Sequence, residues 1–137
     1  MIKISSVNRE DYSSGHLVGY IENIDPEKIV NILGHPNCLL DNAYKSDWEW
    51  VITFENGEQL CIYDWKVGKN YLGKSSGCNF DEIRTWNIGG HNSSLASSLS
   101  MFLKSEKWSS FDDIRKQTFM TKECIESLNS MRKRRED

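Results

Sequence analysis

Trp48-Glu49-Trp50-Val51-Ile52-Thr53-Phe54, Glu55-Asn56-Gly57-Glu58 and Gln59-Leu60-Cys61-Ile62-Tyr63-Asp64-Trp65 follow one another without a break. The two outer runs are rich in β-branched and aromatic residues, and Asn56-Gly57 between them tolerates the positive φ angles that a tight turn needs. The stretch predicts a β-hairpin in one of two registers. A two-residue turn sets Trp50 opposite Tyr63 and Glu49 opposite Asp64, whereas a three-residue turn with a bulge sets Trp50 opposite Ile62 and Ile52 opposite Leu60. The second is preferred. It gathers Trp48, Trp50, Ile52, Phe54, Leu60 and Ile62 on one face and does not oppose two carboxylates.

On the N-terminal side, His16 to Glu22 reads as a strand. Asp25 then caps a short helix with Pro26 at its first position and Ile29, Val30, Ile32 and Leu33 on its apolar face. Gly34 and Pro36 end it, and residues 37–47 form a polar connection containing Tyr44 and Lys45. On the C-terminal side, a Gly-rich connection from Gly68 to Gly77 leads to one helical turn at Phe80-Asp81-Glu82-Ile83. A short strand, Thr85-Trp86-Asn87-Ile88, follows, and Gly89-Gly90 ends it. From Ser93, the spacing of Leu95, Leu99, Phe102 and Leu103 predicts a helix. Ser110 caps a second helix carrying Phe111, Ile114 and Arg115, and Thr121 a third carrying Cys124, Ile125, Leu128 and Met131. Strands first and helices last give an α+β class: an antiparallel sheet built around the 48–65 hairpin, a short N-terminal helix and two or three C-terminal helices on one side. The expected organisation is one domain over residues 1–137, with a sheet-rich core at 16–92, a helical part at 93–131 and a charged tail at 132–137.

Composition agrees with that scheme. The chain has 137 residues, 38 % of them hydrophobic and 27 % charged, with nine glycines and two prolines. That excludes collagen-like, disordered and disulfide-scaffold classes, and the length permits a core without metals or disulfides as staples. No apolar run approaches the ~20 residues of a membrane span. Met1 to Ser6 lacks the apolar stretch of a signal peptide, so a soluble intracellular protein is expected. The net charge of −3 argues against a general nucleic-acid binder. Residues 104–137 nevertheless carry a local excess of basic residues, and any nucleic-acid contact would fall on Arg132, Lys133, Arg134 and Arg135. The same run also suits a frayed helix end, where positive charge complements the dipole. Cys38, Cys61, Cys78 and Cys124 form no C-x-x-C pair and read as reduced thiols. His35 and Cys38 supply half a metal site, but no spacing selects partners among Cys61, Cys78 and His91, so neither a metal nor another cofactor is expected.

Gly34, the hairpin with Asn56-Gly57, Ile62-Tyr63-Asp64-Trp65-Lys66, the loop Gly68-Lys69-Asn70-Tyr71-Leu72-Gly73 and Trp86-Asn87-Ile88-Gly89-Gly90-His91 occur in that order. The pattern resembles small, largely uncharacterised proteins of tailed phages and large DNA viruses. In these, a tryptophan-bearing strand, an acidic or Asn-Gly turn, an Ile-Tyr-x-Trp-Lys strand, a Tyr-x-Gly loop and a Trp-x-Ile-Gly-Gly end follow one another. The resemblance covers residues 16–92 and implies a viral accessory protein in the cytoplasm of a host cell. It carries no activity with it.

Four constellations invite chemistry. Gly68-Lys69-Asn70-Tyr71-Leu72-Gly73-Lys74-Ser75 matches the phosphate-binding pattern G-x-x-x-x-G-K-[ST]. The helix whose N-terminus would face the phosphates is missing from Ser75-Ser76-Gly77-Cys78-Asn79, so a loop with exposed lysines is expected. Gly89, Gly90, His91, Asn92 and Ser93 form the better candidate for an anion: two glycines would admit a ligand to the backbone, and Asn92 or Ser93 opens a helix with free N–H groups. The alternative is a plain strand-to-helix turn. Trp86, Trp65 and Lys66 are its candidate aromatic and basic neighbours, and Gly90→Asp would then abolish binding and spare the fold. His91 offers acid–base chemistry without an assignable nucleophile. Glu49 and Asp64 become a carboxylate pair only in the two-residue register. Trp48, Trp50, Trp65 and Trp86 are expected to be core or cover residues, unless one is exposed beside the Gly-rich loop to stack on a planar ligand.

The functional expectation is therefore a non-catalytic viral accessory protein that binds a host protein, in a host-interaction or counter-defence role. The alternative is a binder, or less readily a hydrolase, of a small phosphate-bearing ligand such as a signalling nucleotide. Self-association is compatible with either.

Overall fold

The computed structural model describes residues 2–40, 45–106, 110 and 118–119. Six strands form one antiparallel sheet: β1 (Ile4–Val7), β2 (His16–Ile21), β3 (Asn37–Cys38), β4 (Trp48–Phe54), β5 (Gln59–Tyr63) and β6 (Trp86–Gly90). Their order is β1-β4-β5-β6-β2, with β3 beside β4 on the same edge as β1. Helices α1 (Pro26–Leu33), α2 (Lys69–Leu72) and α3 (Ser93–Lys104) and a 3-10 turn at Phe80–Glu82 complete the described chain. The class is α+β, as the sequence predicts.

The β4–β5 hairpin takes the register with Trp50 opposite Ile62 and Ile52 opposite Leu60. Its turn is closed by Phe54 N–H donating to Glu58 O at 2.9 Å and Gly57 N–H donating to Phe54 O at 2.9 Å, with Gly57 at φ +87°. That positive φ is why glycine stands there. With the register set, Trp50, Ile52, Phe54, Leu60 and Ile62 enter the core, and half-buried Trp48 packs against it.

Two helices supply the other layer. At the start of α1 the Asp25 carboxylate accepts from Glu27 N–H at 3.0 Å, and at its end Gly34, at φ +85°, donates its N–H to Val30 O at 2.8 Å. Ile29, Ile32 and Leu33 are buried between these ends. Asn92 caps α3 by accepting from Leu95 N–H at 3.0 Å, and Leu95, Ala96, Leu99, Phe102 and Leu103 are buried. Each large apolar side chain removed from water contributes about 1.5–3 kcal/mol. This layer, more than any polar contact, holds the sheet's first face.

Three features depart from the sequence reading. Gly89 and Gly90 do not end β6 but belong to it, paired with Cys61 and Leu60 of β5 on one side and Leu17 and His16 of β2 on the other. The short strands β1 and β3 form where no strand is predicted, both templated by the exposed side of β4. Phe119, given no role in the sequence reading, exchanges backbone hydrogen bonds with Ile2 at 3.0 and 2.7 Å, and its ring packs edge-on against Phe54 and Phe102. The helices predicted from Ser110 and Thr121, and the basic run Arg132 to Arg135, lie outside the described residues. No helix among the described residues is long and apolar enough to cross a membrane.

Candidate functional site

The sheet's second face carries Glu49, Val51, Cys61, Tyr63 and Gly89. The segment between β1 and β2 straps across it. Asn8 N–H donates to Val51 O at 2.8 Å and Asn8 Oδ1 accepts from Val51 N–H at 2.7 Å. Further along, Gln59 Nε2 donates to Asp11 O and Ser13 N–H donates to Gln59 Oε1, each at 3.0 Å. Between these ties the Tyr12 ring lies over Gly89, where an added Cβ would come within 3.0 Å of the phenol oxygen and 3.3 Å of Tyr63. The missing side chain at Gly89 is what admits the ring.

Beside the strap is a cleft of about 190 Å³ whose lining includes Tyr12, His16, Lys45, Glu49, Cys61, Tyr63 and Trp65. Cys61 Sγ donates to Glu49 Oε2 at 3.6 Å. Burial, reinforced by the charge of Glu49, pushes the Cys61 thiol well above its ordinary range, so it stays protonated and is a poor nucleophile. Burial likewise lifts Tyr12 to about 12, and its hydroxyl is buried without a hydrogen-bond partner among the described residues. Tyr63 is raised by burial against the opposing effect of a hydrogen bond with Asn87. None of these three groups supplies an activated nucleophile near neutral pH. At the mouth, Trp65 is 46 % exposed and stands edge-on to Tyr63, with ring centroids 5.9 Å apart. The ammonium groups of Lys45 and Lys66 lie 5.6 and 5.7 Å from the Trp65 ring centre, and Lys66 is also 5.5 Å from that of Tyr71.

The predicted anion-site residues separate. Gly90 is buried in β6, where a Cβ would come within 2.8 Å of Leu60 Cδ2 and 3.0 Å of Gln59 O. It serves strand packing, and Gly90→Asp would disrupt the fold it was expected to spare. Trp86 is fully buried in the core against Trp50, with centroids 5.1 Å apart. Asn92 caps α3 and donates from Nδ2 to Glu58 Oε1 at 3.3 Å, so the helix start already has a carboxylate beside it. Ser93 is exposed in the first turn of α3. His91 is exposed, 5.6 Å from the ring of His16, with Ser14 Oγ 3.4 Å from its Nε2. Gly89 and Trp65 meet in the second-face cleft, and Lys66 stacks outside it.

The phosphate-loop match is occupied from within. Lys69 N–H and Asn70 N–H donate to the Asp47 carboxylate at 2.7 and 2.8 Å. Asp47 N–H and Trp48 N–H in turn donate to Asp64 at 3.0 and 2.8 Å. Both carboxylates are buried and crowd Gly68, where a Cβ would fall within 2.7 Å of Asp64 Oδ2. Asp64 is thus engaged by backbone N–H groups and does not pair with Glu49, which stands opposite Tyr63. Among the described residues no group of three or more His, Cys, Asp or Glu side chains is placed to hold a metal ion.

No protein-family model, curated protein or solved structure matches the chain.

Proposed function

We propose that this chain is a non-catalytic accessory protein that binds a host protein through the surface formed by Trp65, Val67, Tyr71 and Leu72 with Lys45 and Lys66. The observation that carries this reading is the concentration of four exposed large apolar side chains, 38–49 % accessible, in one eight-residue stretch, with lysine ammonium groups stacked on two of its rings. Exposed apolar patches of this kind mark interaction sites, and tryptophan and tyrosine are the side chains that most often dominate their energetics. The lysines favour a partner that brings carboxylates around its apolar contact. The resemblance to viral accessory proteins supports a role in host interaction or counter-defence. The test is capture from host lysate with wild type and Trp65→Ala/Tyr71→Ala. Loss of a specific protein by at least tenfold at unchanged melting temperature is expected, and equal capture would reject the surface.

The second reading, a small phosphate-bearing ligand, is favoured by Trp65 standing exposed beside the Gly68 loop with two ammonium groups on its ring. Such a ligand would stack on the indole and place its phosphate on the lysines. Heat extraction of purified protein followed by mass spectrometry separates the two readings: a co-purifying nucleotide would displace the first.

A further inference from the structure

We infer that the cleft on the second face of the sheet is a binding site for an organic cation, a guanidinium or primary ammonium head, held by Glu49 and walled by Tyr12, Tyr63 and Trp65. Three observations converge on it. Glu49 is half-buried, and among the described residues its side chain receives only the weak thiol donor of Cys61 and forms no ion pair with a cation. Tyr12 lines the same cleft, and its buried hydroxyl has no hydrogen-bond partner among the described residues, a group that is costly to bury until something hydrogen-bonds to it. The Trp65 ring already draws two ammonium groups, so the mouth of the cleft is a surface on which cations are stabilised. A guanidinium or ammonium N–H donates to the free Glu49 oxygen and to the Tyr12 oxygen, and its positive charge faces aromatic walls.

The opposite sign fits badly. Glu49 raises the cost of ionising Cys61 beside it, so the floor of the cleft resists negative charge. A phosphate would be left to Lys45, whose ammonium lies over the Trp65 ring at the mouth, and to Lys66 outside. The volume of about 190 Å³ suits the head of one side chain or a small amine rather than a whole nucleotide. This inference goes beyond the proposed partner surface and does not depend on it.

The probe is agmatine, which carries both a guanidinium and a primary ammonium, titrated into the full chain while the Trp65 indole N–H resonance is followed by two-dimensional NMR and assigned with Trp65→Phe. A saturable shift is expected. Glu49→Gln should weaken it at least tenfold, and Tyr12→Phe should weaken it about threefold with the melting temperature unchanged or raised. Should Glu49→Gln unfold, Tyr12→Phe, which keeps the Trp65 signal and the aromatic wall, carries the comparison. No saturable shift, or equal binding by wild type and the folded variants, overturns the site. So does tighter binding of adenosine monophosphate than of agmatine. Release of a captured protein by bound agmatine would identify the natural head group as an arginine or lysine side chain of that partner; retention would identify a free amine.

Discussion

Gly57 and Gly90 both resist replacement, but for reasons that reach different distances. At Gly57 the constraint is its own φ of +87°, with open space where a side chain would go. Gly57→Val should therefore cost about 1–2 kcal/mol through backbone strain alone, read as a lower urea midpoint with an unchanged slope. At Gly90 the constraint belongs to Leu60 and the Gln59 carbonyl on the neighbouring strand. Gly90→Asp should leave little folded protein in the soluble fraction, since it overpacks a central strand and buries a charge. The first requirement is written in the Asn56-Gly57 dipeptide and was legible; the second depends on which strand lies alongside and was not. Asp64 adds a pH dependence of definite sign. Burial pushes its carboxyl above the usual 3.8 and the charge of Asp47 adds to this, against the lowering effect of the Trp48 and Asp47 N–H groups. The folded state therefore binds the proton more readily than the unfolded chain, and this group's contribution to stability rises as pH falls from neutral toward the unfolded value. The stability difference between wild type and Asp64→Asn should accordingly grow in favour of wild type as pH falls from neutral toward the usual 3.8, measured by urea unfolding.

Among the elements, the segment from Gly68 to Gly77 shows how a motif can be present while its chemistry is absent. The glycines and the backbone N–H groups of a phosphate cradle are there, but the anion they hold is the chain's own Asp47. Asp47→Ala should release α2, costing about 2–3 kcal/mol and accelerating amide exchange at Lys69 and Asn70, whereas Lys74→Ala, at an exposed position, should leave both unchanged. The pattern was readable because it is local. Its occupant arrives from the start of β4, and no spacing rule connects the two. The strap from Asn8 to Gly15 was illegible for a related reason: it has neither periodicity nor cap, and it is fixed by Gln59 and the backbone of Val51. The cleft beside Tyr12 was missed with it. Helices α1 and α3 were legible because caps, stops and apolar spacing all lie within each of them.

At the scale of the molecule, the sheet's first face is sealed by α1, α3 and Phe119. Phe119→Ala should cost about 3 kcal/mol, since its ring is buried between Phe54 and Phe102 and its loss leaves a cavity there. Thermal unfolding against Met101→Ala, at a position 75 % exposed, supplies the control. The α+β class and the hairpin register followed from patterns within single segments. The strand order did not, because it joins the first third of the chain to the last part of the sheet: β2 pairs with β6, matching His16 to Gly90. That pairing has a consequence for biosynthesis. A chain leaving the ribosome presents β2, with Val18 and Ile21, well before β6 has been translated, while the β4–β5 hairpin can close on its own as soon as it clears the exit tunnel. Until β6 emerges, the early strand has no lateral partner and is open to holdase chaperones and proteases, so slow codons between Trp65 and Trp86 would lengthen the interval in which the newborn protein is most vulnerable.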